Sequence, residues 1–247
     1  MVFLDGDGPF NMGLDEAILN SVSRGESPPT LRLYAFKPSA VTIGRFQRVR
    51  ESVDLDAARR LGVPVVRRIT GGGSVYHDEF GEVTYSVVAP VRLFPGSILD
   101  SYRVICSGLV KALDILGLRA QFVPVNDVVV NGKKISGSAQ VRRAGALLQH
   151  GTLMYATDLD TLASLLRAPR EKLESHGVSS IRERVTTVSI ELGRGISREE
   201  VQEAMLRGFE EALGAEFQRG EPTDRELAEA ERLARERYGR EAWNLGR

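Results

Sequence analysis

Residues 127–136 read Asp-Val-Val-Val-Asn-Gly-Lys-Lys-Ile-Ser. A β-forming run, an Asn-Gly pair and a second short run spell a two-residue hairpin, because both central positions of a type I′ turn need positive φ. The pairing carries Lys133 and Lys134 to opposite faces of the second strand, one toward solvent and one toward a cleft. An ammonium in a cleft can neutralise a carboxylate or phosphate, or offset charge that develops in a transition state. Asp127 on the partner strand could hold a metal ion or fix a sugar hydroxyl. The plainer reading is a polar hairpin tip with solvated lysines. Against it stand Gly137, Ser138 and Ala139, small enough to leave room for a ligand.

Working outward, the elements do not alternate strand and helix as a doubly wound sheet requires. Upstream, Asn11 is a candidate cap for a helix bearing Leu14, Ala17, Ile18 and Val22. Strands follow at 30–36 and 40–43, then a short helix from Asp54 to Gly62 and a β-rich run at 64–68. Residues 82–89 alternate as a half-buried strand. Asp100 or Ser101 opens a helix that ends at Gly117. Downstream of the hairpin come a glycine-bearing turn, a strand over 146–155 and a helix capped by Thr157. Ser197 with Glu200, and Thr223 with Glu226, spell two capping boxes that open the closing helices. The pattern predicts an α+β fold of mixed or antiparallel sheets with surrounding helices, a single domain over 1–247 with the helices from about 197 packed on the core.

Composition narrows the function classes. The 247 residues are 42% hydrophobic and 27% charged, with 33 basic and 33 acidic residues. That balance argues against nucleic-acid binding through net charge. No apolar run reaches the length of a membrane span and no leader pattern stands at the N-terminus, so neither membrane nor export is expected and the cytoplasm is the default. One cysteine, Cys106, excludes a disulfide framework; inside an apolar helix it reads as a buried, inert thiol.

Two more segments carry candidate chemistry. Arg67-Arg68-Ile69-Thr70-Gly71-Gly72-Gly73 joins two strands and runs on to His77 and Asp78. Consecutive glycines let backbone approach a ligand closely and aim amide N–H groups inward, and the arginines supply donors for an anion. A flexible surface loop is the alternative. Neither P-loop spacing nor a dinucleotide fingerprint is present. The other segment is Gln149-His150-Gly151-Thr152, whose histidine lies in an apolar strand, where a satisfied structural imidazole is the commoner case. No spacing supports His77 and His150 as a metal pair.

Taken together, RRITGGGSVYHD (67–78), Asn126-Asp127, GKKISGSAQ (132–140) and QHGTLMY (149–155) resemble the lipoate–protein ligase A family of the biotin/lipoate ligase and octanoyltransferase superfamily. The LDEAIL helix, the VTIGRFQ strand and the closing EAWN extend the likeness along nearly the whole chain. The resemblance implies a core like that of class II aminoacyl-tRNA synthetases and biotin ligases. It implies activation of lipoate with MgATP to lipoyl-AMP, then transfer to a lysine of a lipoyl-domain protein. In that scheme Gly71, Gly72 and Gly73 border the lipoyl tunnel, and Arg68, His77 and His150 with Gly151 lie near the acyl group. Lys134, beside Gly137, Ser138 and Ala139, contacts the carboxylate and phosphoanhydride as the catalytic residue. Asn126 and Asp127 serve the adenylate, with Asp127 toward Mg²⁺.

Long members of the family carry a C-terminal accessory domain, so a separate small accessory protein is the expected partner here. A branch that uses a cysteine as acyl carrier places it in one group close before the hairpin; Phe122-Val123-Pro124-Val125-Asn126 has none. The expectation is therefore an adenylate-forming ligase. The alternatives are an octanoyl or lipoyl transferase fed by an acyl carrier protein, a biotin–protein ligase, or a non-catalytic lipoyl-binding scaffold.

Overall fold

The computed structural model describes residues 1–167 and 179–246; Lys172 and His176 lie outside them. Among the described residues, nine strands form two sheets. The larger is antiparallel, in the order β1 (Thr30–Tyr34), β5 (Glu82–Pro90), β9 (Ala146–Met154), β8 (Lys133–Arg143), β7 (Asp127–Val130), β6 (Ala120–Val123). The smaller places β2 (Ala40–Ile43) between β3 (Val65–Arg67), its parallel neighbour, and β4 (Val75–His77), its antiparallel one. The α+β reading with mixed and antiparallel sheets is what the chain forms.

Helices cover both faces of the larger sheet. On one, α4 (Ile98–Ile115) and α8 (Arg198–Leu213) bury Ile105, Leu109, Met205 and Phe209 against Leu33, Val83 and Tyr85. On the other, α1 (Gly8–Ser23) and α9 (Asp224–Leu233) set Leu14, Ile18 and Ala230 against Val88 and Leu148. This double cover corrects the half-buried reading of β5. Its alternation is real, but Glu82, Thr84 and Ser86 are buried too. Polar groups that lie away from water must find partners: Glu82 meets His77, Thr84 donates to Glu82, and Ser86 donates to Asp15.

The hairpin forms as read, with Asn131 at φ 49° and Gly132 at φ 76°. The strand after it is longer than expected: β8 passes straight through Gly137-Ser138-Ala139 and turns only at Ala144-Gly145. Three helix starts move. Asp7, not Asn11, caps α1, accepting from the Phe10 N–H; Asn11 is buried and donates to Gly6 and Ala35 carbonyls instead. Ser97 and Asp100 form the capping box of α4. Asp158 caps α5 (Leu159–Leu165), while the Thr157 hydroxyl donates to the Gly81 carbonyl. Of the closing boxes, Thr223 and Glu226 make a reciprocal pair, whereas Glu200 turns to Arg194.

The last helix, α10 (Glu241–Leu245), is stitched to β3. Arg67 donates to the carbonyls of Trp243 and Asn244 and to that of Gln47, and the Trp243 indole donates back to the Arg67 carbonyl at 2.8 Å. No helix among the described residues is long and apolar enough to cross a membrane.

Candidate active site

A pocket of about 350 Å³ opens where β2 and β4 of the small sheet face β5, β8 and β9 of the large one. That is ample for a small acyl ligand. Its wall includes Arg68, Gly73, His77, Asn126, Asp127, Lys134, Gly137, Ser138, Ala139, His150 and Gly151, so segments far apart in sequence converge on it. Gly71 and Gly72 do not line it. They and Gly73 wrap the arginine: the Arg68 Nη2 donates to the carbonyls of Gly71 and Gly73 at 2.6 and 2.7 Å. The glycine loop thus turns carbonyls toward its own arginine, where amide N–H groups aimed at a ligand were expected.

At the mouth, the Lys134 ammonium sits 2.6 Å from Asp127 Oδ1, and the Arg184 guanidinium 3.0 Å from Oδ2. Lys133 is exposed, as the opposite-face argument requires. Two cations on one carboxylate leave a net positive charge facing the pocket. Arg184, from the short helix α6 (Ile181–Arg184), was not anticipated. It arrives because Val185 bridges in parallel to Lys134 and the Thr186 N–H donates to the Lys134 carbonyl. Asn126 is a brace: its amide donates to the Ser138 carbonyl and its own carbonyl accepts from the Ser138 N–H.

Gly137 explains the small-residue run. It lies directly across from Asp127 in the β7–β8 ladder. A Cβ on it would stand 2.5 Å from Lys134 Nζ and 2.6 Å from Cε. The space left by the missing side chain is filled by the lysine itself.

The inner wall is a chain of buried polar groups. His150 Nδ1 meets Asp15 Oδ2 at 2.9 Å, and its Nε2 meets Thr70 Oγ1 at 2.7 Å. His77 Nδ1 meets Glu82 Oε2 at 2.9 Å, and its Nε2 meets Thr42 Oγ1 at 2.9 Å. Arg68 links the two, Nε to Thr70 at 2.9 Å and Nη1 to Thr42 at 3.2 Å. Burial pushes the Arg68 guanidinium down to about 10, and pushes the His150 imidazole below its ordinary value in spite of Asp15. Burial would raise Asp15, but Arg32 and His150 together hold it low.

Cys106 is apart from all this. It is 0% exposed in α4, its Sγ lies 3.6 Å from Ser138 Oγ on the helix-covered face, and burial raises its thiol to about 11. Asp127 is a poor magnesium site. Its oxygens are engaged by two cations, and no group of three or more His, Cys, Asp or Glu side chains suited to a metal occurs among the described residues.

The model of the lipoyl protein ligase A/B catalytic domain matches residues 7–210. The chain belongs to that family. Curated relatives match nearly end to end. An octanoyltransferase LipM of Kyrpidia tusciae is 40% identical, with 97% of this chain and 95% of that protein covered. That of Brevibacillus brevis is 37% identical over 96% of this chain and 94% of its own. Among solved structures, a bi-partite lipoate protein ligase of Thermoplasma acidophilum, described with its E2 lipoyl domain, superposes with a TM-score of 0.87 at 37% identity, covering 99% of this chain and 95% of its own. A putative lipoate protein ligase of the same organism with bound lipoic acid gives 0.84 at 34%, over 99% and 98% of the two chains. A lipoate-protein ligase A bound with ATP gives 0.87 at 34%, over 99% and 97%. A biotin protein ligase of Aquifex aeolicus shares the fold, with a TM-score of 0.50 at 16% identity over 87% of this chain and 69% of its own.

These relatives correct the expected activity. The motifs from 67 to 155 do not by themselves carry an adenylation step. Curated relatives that match 96–97% of this chain are named octanoyltransferases, which overturns the reading of an ATP-dependent lipoate ligase.

Proposed function

We propose that this enzyme is an octanoyltransferase that moves an octanoyl group from the thioester of an acyl carrier protein to a lysine of a lipoyl domain. The observation that carries this reading is the end-to-end similarity to curated octanoyltransferases. The pocket suits it: the acyl chain lies along Val75, Tyr76, Met154 and Leu162, and its head group meets the cationic mouth. A thioester is already activated, so the reaction needs neither ATP nor an adenylating subunit.

With the one cysteine buried behind the sheet, the acyl group passes directly between the two proteins. The ε-amine of the acceptor attacks the thioester carbonyl carbon. The C–N bond forms, the C–S bond breaks, and the departing sulfur takes up the proton that the amine releases. Lys134 is the catalytic residue of this scheme, a compact charge that offsets the negative charge developing at the reacting thioester. Asp127 and Arg184 hold its ammonium at the mouth, and Asn126 and Ser138 brace the strand that presents it.

The test incubates the enzyme with octanoyl-carrier protein and a lipoyl domain without ATP and records the intact mass of the acceptor. A gain of one octanoyl group is expected. A folded enzyme that leaves the acceptor unchanged overturns the reading.

A further inference from the structure

Arg68 is 4% exposed, and among the described residues no carboxylate touches it. Each of its hydrogen bonds fixes the next group along. A guanidinium only donates, so the Thr70 hydroxyl accepts from Nε; the Asp15 carboxylate on the far side of His150 only accepts, so Nδ1 carries the proton of the neutral imidazole and Nε2 accepts from Thr70. Thr42 likewise accepts from Nη1, and because Glu82 only accepts at His77 Nδ1, the neutral imidazole's Nε2 accepts from Thr42. Both imidazoles therefore accept at Nε2 and carry their proton on Nδ1, where Asp15 and Glu82 accept it. The result is one continuous relay, Asp15–His150–Thr70–Arg68–Thr42–His77–Glu82, with the cation at its centre and each carboxylate two groups away. Of the five guanidinium N–H groups, four are engaged: Nε with Thr70, one on Nη1 with Thr42, and two on Nη2 with Gly71 and Gly73. The second Nη1–H has no acceptor among the described residues, and Arg68 lines the pocket.

We infer that Thr42 and Thr70 are positioning residues that aim this remaining N–H of Arg68 at the carbonyl oxygen of the bound acyl group. The inference rests on the acyl-transfer reading above. As the amine attacks, the oxygen gains charge and becomes the acceptor that the relay leaves open; when the C–S bond breaks, the charge returns to the carbonyl. Arg68 makes and breaks no covalent bond. The hydroxyls stop the guanidinium from rotating in its plane, so its remaining N–H keeps one direction. A donor fixed in advance needs no reorganisation when the charge appears.

The experiment uses the full chain with Thr42→Val, Thr70→Val and Thr70→Ser, and takes two readouts. Long-range ¹⁵N–¹H spectra of the imidazoles report tautomers without any substrate. In the wild type both His77 and His150 should show the Nδ1–H form; an Nε2–H form at either overturns the relay. Steady-state transfer should then show kcat falling roughly tenfold or more in each valine variant, as expected for a misaimed group, with KM for the octanoyl donor little changed. Thr70→Ser, which keeps the hydroxyl, should recover most of the loss. Equal kcat for Thr70→Val and wild type, or no recovery with serine in a variant that melts like the wild type, overturns the inference. A wild-type enzyme that transfers no octanoyl at all would sink the functional reading instead, and the spectra would still decide the relay.

Discussion

Replacing Gly137 by alanine should disable the enzyme without unfolding it. The new methyl carbon would stand 2.5 Å from Lys134 Nζ, and ordinary contact begins near 3.4 Å. The ammonium must therefore retreat by about 1 Å, a displacement of the size that costs ~10²-fold in rate when it misplaces a reacting or charge-stabilising group. That corresponds to roughly 2.7 kcal/mol of barrier. The fold has little reason to suffer. The colliding atoms are the far end of a flexible side chain, and Gly137 sits in an extended strand outside the positive-φ region. Alanine even recovers the ~0.5–1 kcal/mol that glycine loses in a strand. The assay pairs octanoyl transfer with a thermal melt. Gly137→Ala should approach Lys134→Ala in rate while melting within a few degrees of the wild type. If the variant transfers at the wild-type rate, the ammonium is not acting from the place where the structure puts it, and the argument fails.

Other predictions follow from the same geometry. Cys106→Ala should transfer octanoyl at close to the wild-type rate, and a thiol reagent should leave the folded enzyme active, because a buried thiol raised to about 11 is unreactive; a folded but inactive Cys106→Ala would restore a covalent thioester step. Lys134→Arg should fail as Lys134→Ala does, since a planar fork does not fit above Gly137; its test is the same mass assay, with substantial turnover as the contrary result. His150 is held below 6.5 by burial, with Asp15 opposing and Arg68 and His77 adding to the shift. The unfolded chain therefore binds the proton first as pH falls, and the stability present above about 6.5 is lost below it. Melting temperatures between roughly pH 7.5 and 5.5 should fall less steeply in His150→Gln than in the wild type; parallel curves would contradict this. At the α4–α8 crossing, a Cβ on Gly208 would stand 2.4 Å from the Gly108 carbonyl oxygen and 2.6 Å from the Ala112 nitrogen. Overpacking of ~1–3 kcal/mol less ~1 kcal/mol of helix propensity leaves ~0–2 kcal/mol, which predicts Gly208→Ala melting lower by up to about 8 °C; a higher melting temperature would refute the close crossing.

The readable parts of the sequence were those whose physics is local. Asn131-Gly132 announces its turn because backbone conformation alone selects those residues, and Gly62 and Gly214 end their helices in the left-handed conformation for the same reason. The capping errors are local competitions decided by neighbours. Asp7 precedes a proline-bearing first turn and takes the cap, which frees Asn11 for two carbonyls in the interior. The convergence of Lys134, Asp127 and His150 was legible through the family likeness. The relay was not, since Asp15 and His150 stand 135 residues apart and nothing in Leu14-Asp15-Glu16 marks a buried acid. Arg184 was hidden for a similar reason: Ile-Arg-Glu-Arg reads as an ordinary solvated turn until the bridge to Lys134 brings it over Asp127. The activity was misread because the motifs do not by themselves carry an adenylation step.

The stitch between Arg67 and the last helix sets a timetable for biosynthesis. The arginine before Arg68 finds its Trp243 and Asn244 partners 176 and 177 positions further on. At ~5–20 residues per second, a ribosome takes roughly 10–35 s to supply them. During that interval the strand that carries Arg68 into the pocket lacks its final clamp, so the pocket wall is among the last parts of a nascent chain to set.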